Sequence, residues 1–177
     1  MQDAAPLLME TDRLTLRALD EGDAARLQAV FMACADHFQA LTGRPAPDDG
    51  AAAAELAAAA RTPGRQAVVL THPDTGDDVG AIGFWEGNPA PDQALLGLLM
   101  VAPAHRGRGL AREALAGLEV WLAGRGVHGL RTAFERRRLA VHPVVRALGF
   151  TEMSIAEHTA LGLGGAGVSL WEKRIGG

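Results

Sequence analysis

The stretch MVAPAHRGRGLAREAL, residues 100–115, leads from an apolar run into an amphipathic one through a bend of arginine and glycine. Gly107 and Gly109 remove side chains at the bend and expose backbone N–H groups, next to the unpaired N–H groups that begin any helix. The helix dipole is positive there, and Arg106 and Arg108 add charge that suits phosphate groups. The stretch therefore predicts an anion site, with phosphate or pyrophosphate as the simplest ligand. A glycine bend with solvated arginines is the alternative.

The segments on either side of the bend predict a strand and a helix. Residues 94–101 are apolar on both faces, as is typical of a central strand. After the bend, large apolar residues recur at helical spacing until the glycines near 124–126. The run at 130–134 then predicts another strand, which should lie parallel to 94–101 because a helix connects the two.

The rest of the chain alternates short strands with helices. We predict strands over 13–17, 66–72, 79–87, near 150–160 and 167–175, and helices over 21–43, 51–60 and a short segment ending at Leu148. The glycine-rich run 161–167 is expected to be a flexible hairpin loop. No internal repeat or long linker divides the 177 residues, so we expect residues 1–177 to form a single domain.

Composition excludes several classes of protein. The net charge of −4 argues against nucleic-acid binding, and no run of about 20 apolar residues predicts a membrane span. The first residues lack a basic segment, so we expect no signal peptide and a cytoplasmic protein. One cysteine, Cys34, and six histidines without metal-binding spacing predict neither a disulfide framework nor a metal site. Neither serine lies in G-x-S-x-G, which excludes a hydrolase of that type.

Two phosphate-binding patterns compete for the bend. The dinucleotide fingerprint G-x-G-x-x-G is met by Gly107 and Gly109, but Arg112 stands at the third glycine. Glu135, after the next strand, could serve as the acidic residue of that pattern. Hairpins rather than βαβ units precede the bend, however, so a Rossmann-type dehydrogenase fits poorly.

The bend also resembles the pyrophosphate loop of the GCN5-related N-acetyltransferase (GNAT) superfamily, Gln/Arg-x-x-Gly-x-Gly/Ala. Arg106, Gly109 and Ala111 match this pattern in order. LLMVAP (98–103) resembles the end of the family's fourth strand, VVRALGF (144–150) its second conserved segment, and METDRLTLRALDEGDAARL (9–27) the opening of the branch that includes ribosomal-protein N-terminal acetyltransferases. The resemblance implies an α/β (α+β) acyl-CoA N-acyltransferase fold: a mixed, mostly antiparallel sheet, splayed between its fourth and fifth strands, with helices on both faces.

The resemblance further implies that acetyl-CoA, as cosubstrate, binds between strands 94–101 and 130–134. In the family's arrangement the backbone of one strand pairs with the pantetheine arm, and the amides of the loop hold the pyrophosphate. The residues in these positions are Leu99, Met100 and Val101 on the strand, and Arg106, Gly107, Arg108, Gly109, Leu110 and Ala111 in the loop. Arg138, with its neighbours at 136 and 137, could reach the nucleotide phosphates. A solvated basic turn is the alternative for these arginines.

The reaction that the resemblance implies is direct attack of a primary amine, on a small molecule or a peptide N-terminus, on the thioester. Such an amine is mostly protonated at neutral pH and needs a base. Glu86 is the first candidate because it ends a central strand just after Trp85, which could wall a substrate pocket; Asp92 and His37 follow. Residues 36–65 are expected to shape the acceptor site.

One position departs from the family pattern. Many members carry a tyrosine that assists the departing thiolate, but this chain has no tyrosine, and Val145 stands in its place. Water, Ser154 or His142 could substitute. A non-catalytic acetyl-CoA-binding sensor or regulatory module is therefore the second hypothesis. A homodimer, through paired or exchanged terminal strands, is compatible with either.

Overall fold

The chain folds around one mixed sheet in the part that the computed structural model describes, residues 7–162, 165 and 167–177. Its strands are β1 (Leu7–Glu10), β2 (Thr15–Ala18), β3 (Arg65–Thr71), β4 (Asp78–Glu86), β5 (Gln93–Val101), β6 (Gly129–Glu135), β7 (Thr151–Glu152) and β8 (Val168–Arg174). The helices are α1 (Ala24–Ala33), α2 (Ala35–Thr42), α3 (Ala51–Arg61), α4 (Leu110–Ala123), α5 (Val141–Ala147) and α6 (Ile155–Ala160). The strand order is β1-β2-β3-β4-β5-β6-β8-β7, and every pair but β5–β6 is antiparallel.

The two faces of the sheet are covered by different helices. On β3, Val68 and Leu70 pack in a cluster with α4 and α5, whereas Val69, between them, packs in a second cluster with α1 and α3. This alternation is the period of two expected of a strand that is buried on both faces. The predicted mixed, mostly antiparallel sheet with helices on both faces is thereby confirmed. Within the described residues, no helix is long and apolar enough to cross a membrane.

The predicted helix over 21–43 is interrupted in the structure. A single 3₁₀ turn covers Glu21–Asp23, where Asp20 accepts the Gly22 N–H in a capping box, and α1 and α2 follow. The break falls at Cys34, whose φ of −101° and ψ of 31° are not helical. The Cys34 N–H is shared between the carbonyls of Val30 and Phe31, so the last turn of α1 tightens. The buried thiol packs in the core.

The predicted strand near 150–160 is wrong beyond its first residues. Strand β7 covers only Thr151–Glu152, and α6 follows it. Ser154 caps this helix: its hydroxyl accepts the N–H of Glu157 at 3.2 Å, and the Glu157 carboxylate accepts the N–H of Ser154 at 2.6 Å. The sequence SIAE at 154–157 has the capping-box pattern, a serine followed three residues later by glutamate. The pattern favours a helix start here, where a strand was predicted. The expected flexible loop at 161–167 includes residues 163, 164 and 166, which lie outside the described part.

The cap makes a prediction for the stability of this region. Replacing Ser154 by alanine removes the hydroxyl that satisfies the Glu157 N–H, and it should lower the free energy of unfolding by about 1 kcal/mol. Chemical denaturation of the Ser154→Ala and Ser154→Asp variants checks this, because aspartate can cap in the same way. Equal destabilisation of both variants would contradict the role of the cap.

The sheet opens between β5 and β6. Only residues Gln93–Leu96 of β5 pair with β6, in parallel with Gly129–Thr132. Beyond that, β5 continues beside β4 as far as Val101, with a register shift at Gly97, and β6 continues beside β8 as far as Glu135. The facing edges of β5 and β6 therefore diverge. These are the strands predicted over 94–101 and 130–134, so the sheet is splayed where the resemblance implies.

Candidate active site

A cleft with a volume of about 700 Å³ begins where β5 and β6 part. Its walls are residues 96–101 of β5 and 132–135 of β6, with α2 and α5 at its sides. Among the predicted cofactor-binding residues, the cleft is lined by Leu99, Met100, Val101, Arg106, Ala111 and Arg138. Because the β5 edge has no partner strand here, its backbone groups are available to an extended ligand, which could add to the sheet as a strand does.

The predicted loop leads from the end of β5 into α4. Gly107 and Gly109 have φ of +74° and +79°, left-handed values that favour glycine. In the described part of the chain, the N–H groups of residues 107–112 donate to no acceptor; the first helical bond runs from the Glu113 N–H to the Gly109 carbonyl. An open row of amides at a helix N-terminus is an anion site. The open row is shorter than the prediction that began it at Arg106: the Arg106 N–H donates to the Pro103 carbonyl at 3.3 Å, so the row begins at Gly107.

Arg106 contributes its side chain to the site. Its Nε donates to the Val101 carbonyl at 2.7 Å, and its two terminal nitrogens donate to Asp36 at 2.6 and 3.0 Å. The hydrogen bond from Arg106 is the largest effect on Asp36, and it lowers the pKa of that carboxyl group. A fork of this kind fixes geometry as well as charge, so Arg106 ties the loop to α2.

A second arginine holds the loop from the opposite side. Arg13, in the turn between β1 and β2, donates from Nη1 to the Arg108 carbonyl at 2.8 Å and from Nε to Glu113 at 2.7 Å. Thr11 also donates to Glu113, at 2.7 Å. Burial of Glu113 would raise its pKa, but the hydrogen bonds from Thr11 and Arg13 outweigh burial and lower it. No local sequence pattern predicts this contact, because 95 residues or more separate the partners.

His37 projects from α2 into the cleft lining. Burial lowers the pKa of its imidazole, and the nearby positive charge of Arg138 lowers it further. The ring contacts Phe38 edge-on, with centroids 5.7 Å apart. A neutral imidazole can accept a proton, so His37 has the chemistry and the location of a general base. It was the third candidate from the sequence.

Glu86, the first candidate for the base, is not brought to the cleft. In the antiparallel register it lies opposite Ala94, at the end of β5 that remains paired with β6. Its carboxylate accepts from Arg125 Nε at 3.0 Å on both oxygens. Asp92 lies at the same end, where its carbonyl accepts the His128 N–H. The geometry therefore does not support either carboxylate as the base.

Trp85 also turns away from the cleft. Its indole N–H donates to the Pro63 carbonyl at 3.0 Å, and the residue is not among those that line the cleft. Trp121 packs against the core, with its ring centroid 5.7 Å from that of Phe84.

The position of the missing tyrosine does face the cleft. Val145 is 8% exposed and lies in the lining. Of its predicted substitutes, Ser154 caps α6, and His142 packs its ring against Phe134 and Trp171. Neither residue lines the cleft, so water remains the candidate for protonating the departing thiolate.

The three consecutive arginines after β6 have different surroundings. Arg136 bonds to Glu152 and to the Val168 carbonyl, and Arg137 pairs with Glu135. Arg138 lines the cleft, and within the described residues it has no ion pair. It is therefore the member of the three available to a ligand. In the described part of the chain no group of three or more His, Cys, Asp or Glu residues could hold a metal ion.

Comparison with known proteins identifies the family of this chain. The family model "Acetyltransferase (GNAT) domain" matches residues 13–151, so the chain belongs to the GNAT acetyltransferase family. An acetyltransferase from Thermus thermophilus is 26% identical, with a TM-score of 0.74 over 94% of this chain and 100% of that one. No curated protein matches the chain.

Two further solved structures share the fold. RimL, a ribosomal α-N-protein acetyltransferase in complex with coenzyme A, is 15% identical, with a TM-score of 0.72 over 97% of this chain and 99% of that one. Spermidine N-acetyltransferase from Vibrio cholerae, in complex with CoA and spermine, is 15% identical, with a TM-score of 0.66 over 93% and 97%. At these identities the likeness concerns the fold.

Proposed function

We propose that the chain, acting as a single domain, is an N-acetyltransferase that transfers acetyl from acetyl-CoA to a primary amine in a ternary complex. The observation that carries the proposal is the continuity of two features: the cleft between β5 and β6, and the open amides of residues 107–112 at its end. An unpaired strand edge suits a pantetheine arm, and open amides at a helix N-terminus suit a pyrophosphate. The solved CoA complexes of the same fold support this reading.

In this proposal, acetyl-CoA supplies an activated acetyl group and the protein positions it. The amides of residues 107–112 hold the pyrophosphate, and Arg138 is placed to meet the anionic part of the ligand from the side of β6. An N–H on the unpaired edge of β5 donates a hydrogen bond to the thioester oxygen and stabilises the negative charge that develops there. The amine must then approach the carbonyl carbon from the α2 side of the cleft, where His37 lies.

His37 is the proposed base. A primary ammonium has a pKa near 10, so a proton must leave before the nitrogen can attack. The neutral imidazole takes this proton, and the nitrogen lone pair then forms the C–N bond to the carbonyl carbon. The C–S bond breaks, the nitrogen gives its second proton to water, and the thiolate takes a proton from water. Burial lowers the pKa of His37 and so favours the neutral imidazole, which is the state that a base requires.

The acid that protonates the thiolate can be tested at Val145. The Val145→Tyr variant places a hydroxyl in the cleft, whereas Val145→Phe adds the same ring without it. We expect a kcat roughly tenfold higher for the tyrosine variant than for the phenylalanine variant, since a placed acid assists the leaving group. The comparison cancels the cost of the added ring. Equal kcat values would contradict a role for this position in thiolate departure.

Thiol release tests the proposed activity. Wild-type protein is incubated with acetyl-CoA and a panel of amines that includes dipeptides, amino acids and polyamines, and free CoA thiol is measured against a no-amine control. Turnover with at least one amine supports the N-acetyltransferase. The missing tyrosine favours one alternative, a non-catalytic acetyl-CoA sensor, which predicts CoA binding with no release above the control. Thermal shifts measured with acetyl-CoA and with NAD test the third possibility, a dinucleotide site. Stabilisation by NAD and not by acetyl-CoA would indicate such a site, whereas the enzyme and the sensor both predict stabilisation by acetyl-CoA.

A further inference from the structure

The turn between β1 and β2 is fastened to the start of α4 by hydrogen bonds that converge on Glu113. Its Oε1 accepts the Thr11 hydroxyl and the Arg13 backbone N–H, both at 2.7 Å. Its Oε2 lies 2.7 Å from Arg13 Nε and 2.6 Å from Nη2. The remaining terminal nitrogen of Arg13 donates to the Arg108 carbonyl inside the loop, at 2.8 Å. One guanidinium thus joins the first turn of the helix to the loop that precedes it.

The location of Glu113 gives this contact a consequence beyond stability. Glu113 belongs to the first turn of α4, the same turn to which the open N–H groups of residues 107–112 lead. An acidic side chain in the first turn is attracted to those N–H groups and competes with any anionic ligand for them. Arg13 holds the carboxylate through its guanidinium and its backbone N–H, and it balances the charge. Only 17% of the Glu113 side chain is exposed, so solvent screens that charge poorly.

We propose that Arg13 is a positioning residue for the pyrophosphate of CoA, which keeps the loop amides open by holding Glu113 and the Arg108 carbonyl. This inference rests on the proposed function. It assigns a role to the arginine of the opening segment, which lies outside the cleft lining and touches no reacting atom. Arg13 therefore affects binding of the pyrophosphate part of CoA and leaves binding of the pantetheine part unchanged.

The test measures binding of two probes, CoA and S-acetylpantetheine, which lacks the pyrophosphate. In Arg13→Gln we expect the Kd for CoA to rise about tenfold, the effect of one charge-assisted contact, and the Kd for S-acetylpantetheine to stay unchanged. Adding Glu113→Gln to this variant removes the freed carboxylate, so the double variant should recover part of the lost affinity. Arg13→Lys retains the charge near Glu113 and should lose less affinity than Arg13→Gln.

A matched control is available at Arg26, whose guanidinium makes the same two-pronged contact with Asp78, at 2.6 and 2.8 Å. Arg26 does not line the cleft, so Arg26→Gln should leave the Kd for CoA unchanged. Equal weakening of both probes by Arg13→Gln would make the role structural and overturn the inference, as would unchanged CoA binding or a double variant no better than the single one. Failure of the wild type to bind CoA would instead reject the proposed function itself.

Discussion

Replacing Gly109 by aspartate is expected to raise the Kd for CoA by roughly 100-fold, the largest effect that any single change in the loop should have. Gly109 is the N-terminal cap residue of α4, with φ of +79° and no side chain to cover the amides that follow. A carboxylate at this position lies beside those amides and supplies an internal anion where the pyrophosphate is proposed to bind. A Cβ here would lie 3.7 Å from Arg13 Nη2, so the new charge would also draw Arg13 from Glu113.

Gly76 provides the control for backbone strain. Its φ is +73°, a Cβ there meets nothing within 4 Å, and it lies in the turn between β3 and β4, away from the cleft. Gly76→Asp should lower the free energy of unfolding by about 1–2 kcal/mol, the cost of the left-handed conformation, without changing the Kd for CoA. Calorimetric titration of both variants with CoA distinguishes the effect of backbone strain from the effect of a carboxylate in the loop. If Gly109→Asp binds CoA as the wild type does, the loop does not hold the pyrophosphate.

The second large effect is expected at His37. Removing the proposed base by His37→Gln should lower kcat by about 100-fold or more while the Kd for CoA changes little. In the wild type, kcat/KM should rise with pH as the imidazole loses its proton. Because burial lowers the pKa of His37, the midpoint of this rise should fall below about 6.5, the ordinary value for histidine. The rise should be absent in the variant.

His128→Gln is the matched substitution, because that side chain is exposed and does not line the cleft. It should reproduce the wild-type kcat and the wild-type pH profile. Initial rates between pH 5 and 9 with a fixed amine, measured at saturating acetyl-CoA, make the comparison. A full pH-dependent rise retained in His37→Gln would show that another group takes the proton.

The loop and the parallel strand pair were predictable because their signals are local, whereas the splay between the two strands followed from the family resemblance. Glycines at 107 and 109 followed by a helix pattern define an amide row without knowledge of the rest of the fold. The parallel pairing of β5 and β6 followed from the helix that connects them. Elements with short, contradictory signals failed: the capping box at Ser154 had to outweigh a strand-like composition, and Cys34 interrupts a helical stripe without a proline or glycine.

The site was harder to predict, for physical reasons that differ between residues. The choice of Glu86 overlooked the hairpin register, in which the last residue of β4 lies beside the first residues of β5, at the closed end of the sheet. His37 and Arg138 come together only when α2 lies against the cleft, which no local pattern encodes. The contact between Arg13 and Glu113 spans 100 residues.

A crystal structure of the protein with CoA tests the central claim most directly. The account predicts that the pyrophosphate accepts hydrogen bonds from N–H groups within residues 107–112, and that the pantetheine runs along the free edge of β5 with its sulfur near His37. CoA bound elsewhere, or β5 and β6 paired along their full length around an empty loop, would contradict it.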